Sequence, residues 1–264
     1  MKLIKKKDKK PIRISTQQIN VEIQPFSIII PFSINKFQDL DNCLFYLNQC
    51  KGISKCEIVI VLYQNENISI NFDHYKNLNY KIIHSKRNNA ENIFCLSHAR
   101  NIGLMNSKYN WNLCIDCDIL FENNLCQNLS FERKDDILYW TARYNVANFG
   151  LKQHLSQMTK YLHYVDQAPY GYFHFFNKQI IFDRVGGYDE NMYGWGAEDN
   201  DFVNRCRLAK IDNMNIKDYV HCFHRIHPYD NQWKNNENLH NNSSKESFNQ
   251  INSIIKINNV GKIL

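Results

Sequence analysis

Short unbroken apolar runs alternate along this chain with segments whose apolar residues recur every three or four positions, the pattern of strands interleaved with helices. Residues 27–31 (SIIIP) read as a buried strand closed by proline, 57–63 (EIVIVLY) as a second and 80–84 as a third. Leu40, Cys43, Leu44 and Leu47 give residues 39–50 the spacing of an amphipathic helix. Residues 96–106 predict a helix with Ala99, Ile102 and Gly103 turned to the sheet, and 111–115 a fourth strand that delivers Asp116 and Asp118 at its carboxyl end. Such alternation implies a mostly parallel sheet covered on both faces, where ligands bind beyond the carboxyl ends of the strands. The second half is less regular. It predicts strands over 137–145 and 170–176, part of a helix or a loop over 159–163, and a helix end with a tight turn over 183–187. A helix follows over 198–208, and a last strand over 219–223 leads into His224-Arg225-Ile226-His227-Pro228.

The 264 residues suffice for one substantial core, and the expected division is a basic extension over 1–24, one domain over 25–230 and a polar extension over 231–264. An aromatic share of 13% excludes a wholly disordered chain. No apolar run approaches the ~20 residues that cross a bilayer. Residues 1–10 are lysine-rich but lead into no apolar stretch of the secretory type. The net charge of +6 is concentrated there, in a tail read either as solvated or as a contact for an anionic membrane surface. The nine cysteines are odd in number, and Cys56, Cys95, Cys114 and Cys222 sit in apolar runs as small hydrophobes. A reducing cytoplasm is therefore expected, with peripheral membrane contact as the alternative reading of the tail.

Two acidic clusters change the picture. On an extended segment residues two apart point the same way, so Asp116 and Asp118 can face one hard cation, Mn²⁺ or Mg²⁺, of the kind that bridges phosphates. A neutral imidazole completing an Asp-x-Asp site favours Mn²⁺ over Ca²⁺. His224, directly after the predicted strand, is the expected ligand, with His221 and His227 as alternatives. Pro228 argues against one helix aligning all three. Glu198 and Asp199 open a predicted helix, where the dipole favours carboxylates, and either suits a general base that takes a proton from a hydroxyl. Trp195 offers a flat apolar face for a pyranose ring, and Gly194 and Gly196 permit close approach. Arg100 and Asn101, in the helix before the acidic strand, either contact a donor phosphate or base, or Arg100 pairs with a surface acid.

These motifs, in this order, resemble a known family. Residues 27–32 resemble the first nucleotide-binding strand of inverting GT-A glycosyltransferases. His98-Ala99-Arg100-Asn101-Ile102-Gly103-Leu104, followed by Ile115-Asp116-Cys117-Asp118, is similar to bacterial chondroitin-polymerase-type transferase domains. Phe176-Asn177-Lys178, Val185-Gly186-Gly187-Tyr188 and Gly194-Trp195-Gly196-Ala197-Glu198-Asp199 resemble the acceptor segment of β-1,4-galactosyltransferases, and residues 219–228 their closing metal-ligating strand. The chain departs from the pattern at Ser33, where those galactosyltransferases carry Arg, and at Ala197 in place of a second glycine.

The resemblance implies a GT-A α/β fold with a smaller acceptor-side region. It implies donor contacts from Pro31, Phe32, Arg100, Asn101, Asp116, Cys117 and Trp195, and a Mn²⁺ or Mg²⁺ ion on Asp118, His224 and Asp116. It implies Asp199 as catalytic base, with Glu198, Trp195 and Gly196 at the acceptor. The activity implied is inverting, metal-dependent transfer of a hexose or N-acetylhexosamine (Gal, GalNAc or GlcNAc type) from a UDP-sugar donor to a glycan acceptor, with residues 188–197 closing over the donor. The competing readings are a nucleotidyltransferase, which releases pyrophosphate, and a non-catalytic glycan- or nucleic-acid-binding module. A pure binder has no need of Asp116, Asp118, Glu198, Asp199 and His224 together, so nucleic acid is not an expected partner.

Overall fold

The structure, a computed structural model, describes residues 22–63, 69–85, 94–146, 162–165, 172–192 and 198–225. Its first half follows the apolar pattern closely. Strands β1 (Ser27–Phe32), β2 (Glu57–Tyr63), β3 (Tyr80–Ser85) and β4 (Trp111–Ile115) alternate with helices α1 (Phe37–Leu47) and α2 (Leu96–Asn106). Then come β5 (Ile119–Phe121), α3 (Leu125–Asn128), β6 (Ile137–Trp140), β7 (Arg143–Val146), β8 (Leu162–Val165), β9 (Phe173–Asn177) and α4 (Lys178–Arg184). The described chain closes with α5 (Glu198–Leu208), β10 (Asp212–Asn215) and β11 (Cys222–Arg225).

Seven strands form one sheet in the order β10-β6-β9-β4-β1-β2-β3, and four form a second in the order β5-β11-β7-β8. In the large sheet β1, β2, β3 and β4 run parallel, as do β6 and β10, while β9 runs antiparallel between β4 and β6. The centre of the large sheet is buried on both faces, which is why β1 and β2 are apolar without alternation. Ile28, Ile30 and Phe32 pack with Leu40, Leu44 and Leu47 of α1 on one side. Ile29, Val59 and Val61 pack with Ala99 and Leu104 of α2 on the other. Gly103 lets α2 lie against β1, because a Cβ there would collide with Cγ2 of Ile29. All nine cysteines are free and buried. Cys114 and Cys117, spaced as Cys-x-x-Cys, point into cores on opposite faces and so do not form a metal pair.

The chain departs from the predicted elements where sequence periodicity is weakest. The strand predicted over 137–145 is two strands, β6 in the large sheet and β7 in the small one. The break falls at Thr141, whose hydroxyl donates to Val220 O at 2.5 Å. The last strand begins at Cys222 rather than 219, because Tyr219 and Val220 give their N–H groups back to Ile216 O in a turn. His224 therefore lies inside β11 instead of following a strand. Leu162 and His163, the end of the segment 159–163 expected as part of a helix or a loop, open strand β8. β5 and the polar edge strand β10 carried no sequence signal. No helix among the described residues is long and apolar enough to cross a membrane.

Candidate active site

The acidic motif sits where the two sheets meet. Residues 116–119 are a tight turn, with Ile119 N–H donating to Asp116 O at 3.3 Å. The extended geometry expected for this motif does not form, because β4 belongs to the large sheet, β5 to the small one, and the chain bends between them. Cys117 turns into the core, where burial pushes its thiol up. The two carboxylates find different partners.

Asp118 faces the histidine of β11, with its Oδ2 3.6 Å from Nε2 of His224. Register produces this proximity, since His224 pairs across from Ile119 in the antiparallel β5–β11 ladder. On the other side of the ring, His224 Nδ1 lies 3.2 Å from Oδ1 of Asn145, its register partner on β7. With the Nδ1–H given to Asn145, Nε2 presents its lone pair toward Asp118, the orientation a metal-ligating imidazole needs. His221 instead lies 3.3 Å from Glu122, and His227 falls outside the described residues. Asp118, His224 and the nearby Asp116 are a donor set suited to Mn²⁺. Among the described residues no three His, Cys, Asp or Glu side chains form a metal cage by themselves. An ion shared with substrate phosphates commonly takes only one or two carboxylates from the protein, so the residues fit that use.

Asp116 accepts a hydrogen bond from Arg100 Nη2 at 2.9 Å. The Arg100 side chain is fully buried, its Nη1 lies 3.4 Å from Glu198 Oε1, and its guanidinium sits 5.1 Å over the Tyr188 ring. Glu198 and Asp199, neighbours in the first turn of α5, differ sharply in setting. Glu198 is buried, and burial pushes its carboxyl up to about 7, Asp199 adding to the rise and Arg100 opposing it. Asp199 is half-buried, with Oδ1 accepting from Asn200 N–H at 2.8 Å. Trp195 and Gly196, with the second half of the predicted closing loop (residues 193–197), lie outside the described residues.

Asn101 faces away from Asp116, toward the turn that follows α4. Its Oδ1 accepts from Tyr188 N–H at 2.8 Å, and its Nδ2 donates to Tyr188 O and Glu190 Oε1, each at 2.9 Å. Gly187, with φ of +86°, is needed in this turn, because a Cβ there would crowd Asn101 Oδ1. Pro31 and Phe32 are buried in β1, and Phe32 belongs to the core with Leu62. The structure thus joins Asp116, Arg100 and Glu198 in one set of contacts and Asp118 with His224 in another two residues along, with Asp199 beside Glu198, Asn101 on the backbone of Tyr188 and Phe32 in the core.

Four supporting residues went unrecognised in the sequence. Asn145 orients His224. The Tyr188 hydroxyl lies 3.0 Å from Nδ1 of His174, and the Tyr188 ring stacks on Phe202 at 4.0 Å. Arg205 pairs with Asp201 at 2.7 Å and donates to Val185 O and Gly187 O, mooring α5 to the glycine turn. Arg205 has a signal, an Asp four residues before an Arg on a predicted helix, and Tyr188 ends the glycine motif. Asn145 and His174 take their places only through strand pairing between distant segments.

This fold, a large mostly parallel sheet with a smaller one beside the site, is of the GT-A glycosyltransferase type. Residues 151–231 match the family described as the N-terminal domain of galactosyltransferase. Among solved structures, S. aureus TarS 1–349 in complex with UDP-GlcNAc superposes with a TM-score of 0.57 at 15% identity, over 80% of this chain and 61% of that one. GalNAc-T7 with UDP, GalNAc and Mn²⁺ gives 0.58 at 15% identity, over 77% of this chain and 44% of that one. TarS 1–349 in complex with UDP gives 0.54 at 15% identity, over 89% and 65%. The chain therefore spans less than two thirds of each of these structures. A search of curated proteins with the sequence finds no match.

Proposed function

We propose that this chain is an inverting, metal-dependent glycosyltransferase that moves a hexose or N-acetylhexosamine from a UDP-sugar to a hydroxyl of a glycan acceptor. The observation that carries this reading is the joining of two carboxylate pairs at one end of the sheet. Asp118 with His224 forms a cation-binding side, Glu198 with Asp199 an acid–base side, and Arg100 lies between them. The neighbours solved with UDP-GlcNAc, and with UDP, GalNAc and Mn²⁺, support a nucleotide-sugar donor and a divalent ion.

Asp118 and His224 would hold the ion, assisted by Asp116. When bound, it supplies positive charge to the departing diphosphate. Asp199 takes the acceptor proton as the hydroxyl attacks the anomeric carbon from the face opposite the leaving group, which inverts the centre. It suits this role better than Glu198 because it is the less buried of the two, whereas Glu198 is packed against Arg100 and burial holds its carboxyl up to about 7. Glu198 then serves as a hydrogen-bonding partner for the acceptor. Trp195 and Gly196 complete the acceptor side, with the Trp195 ring also against the donor sugar.

Titration calorimetry of UDP with Mn²⁺ tests the donor half. Wild type is expected to bind UDP only with the metal, and Asp118→Ala to bind at least about tenfold more weakly. Equal, metal-independent binding by both proteins would contradict the assignment. The nucleotidyltransferase reading has no comparable support, and it alone calls for pyrophosphate release.

A further inference from the structure

The sequence offers Arg100 as a contact for a donor phosphate or base, or as the partner of a surface acid; the structure buries it between two acids, Asp116 and Glu198. Its side chain is 1% exposed, so it has almost no surface open to a ligand. It reaches Asp116, 16 residues away in sequence, and Glu198, 98 residues away, with two different nitrogens of one guanidinium. A guanidinium is a rigid planar fork, so bonds from two of its nitrogens set the separation and the mutual orientation of the carboxylates they meet. The fork is itself held, over the Tyr188 ring at 5.1 Å. Tyr188 is fixed in turn by His174 at its hydroxyl and by Asn101, the residue next to Arg100, at its backbone. A buried guanidinium without acid partners is strongly destabilising, so Asp116 and Glu198 are bound to it as firmly as it is to them.

We infer that Arg100 is a positioning residue that keeps the donor-side acid Asp116 and the acceptor-side acid Glu198 in register, and that it touches neither substrate. This rests on the transferase reading above. Arg100 acts by setting where the acceptor hydroxyl lies relative to the anomeric carbon, a distance on which turnover depends steeply. It leaves the affinity of the donor nearly unchanged.

The test is steady-state kinetics on the full chain with a UDP-sugar and Mn²⁺, beside calorimetry with UDP and Mn²⁺ and a thermal melt for each variant. Arg100→Lys keeps the buried charge but cannot span both carboxylates. It is expected to lose about tenfold to a hundredfold in kcat. KM for the donor and Kd for UDP should stay within about threefold of wild type. Should Arg100→Lys not fold, Arg100→Met combined with Glu198→Gln removes the charge from both partners. Compared with Glu198→Gln alone, it should lose no more than about threefold further in kcat and keep Kd for UDP within about threefold, since the two residues act as one unit. A variant with intact kcat and donor binding weakened about tenfold would make Arg100 a direct donor contact and overturn the inference. Unchanged kcat and KM in a less stable protein would reduce it to a structural ion pair, with the same consequence. Wild type that turns over no UDP-sugar would instead defeat the transferase reading, and this inference with it.

Discussion

Glu198 and Asp199 are adjacent acids with opposite surroundings, and the difference governs how each behaves. The sequence identifies both as first-turn carboxylates but says nothing of the burial of Glu198, which packs against Arg100 from elsewhere in the chain. In the fold Glu198 holds its proton up to about 7, against an ordinary value of 4.5. Between those values the folded protein keeps a proton that the unfolded chain has released. Its contribution to stability is therefore full below pH 4.5, declines as pH rises, and is lost above about 7. Chemical denaturation from pH 4 to 8 should show wild type losing on the order of 2 kcal/mol more than Glu198→Gln over this window. Parallel stability curves would show that Glu198 is not held protonated. The His224 assignment came from its place in the sequence, whereas its partner Asn145 could be found only once β7 and β11 were paired.

At the scale of elements, the helices and strands most visible in the sequence are those buried on one continuous face. Helix α2 falls on the predicted residues 96–106, because Ala99, Gly103 and Leu104 face the sheet and nothing within the segment breaks the period. β10 escaped notice because Asp212-Asn213-Met214-Asn215 is polar, and it is a strand only through its parallel pairing with β6. The acidic turn misled for a related reason, since residues two apart share a face only on an extended chain. The contact between α2 and β1 gives a direct test of element packing. Gly103→Ala places a methyl against Ile29 and should destabilise the protein by about 1–3 kcal/mol with an unchanged denaturant slope. A neutral or stabilising effect would mean the helix does not approach the strand this closely. Arg100 and Asn101 ride on the same helix, so a loosened α2 should also lower turnover.

For the whole molecule, an α/β sheet with its site at the strand ends could be read from the alternation of apolar runs. The antiparallel placement of β9 between β4 and β6 could not, nor could the second sheet that carries His224 to Asp118. Both are pairings between segments far apart in sequence, which periodicity does not encode. They matter because they bring scattered motifs together, with Asp118 and His224 on one side, Glu198 and Asp199 on the other and a buried arginine between. The measurement that tests this most directly is release of UDP from a panel of UDP-sugars with a glycan acceptor, with Mn²⁺ or with chelator, for wild type, Asp118→Ala and Asp199→Asn. Wild type should release UDP from one donor only when metal is present, and Asp118→Ala should abolish that release. Asp199→Asn should keep metal-dependent UDP binding while slowing transfer by about a hundredfold or more. No release from any donor, or release indifferent to chelator and to both substitutions, would contradict metal-assisted glycosyl transfer at this site.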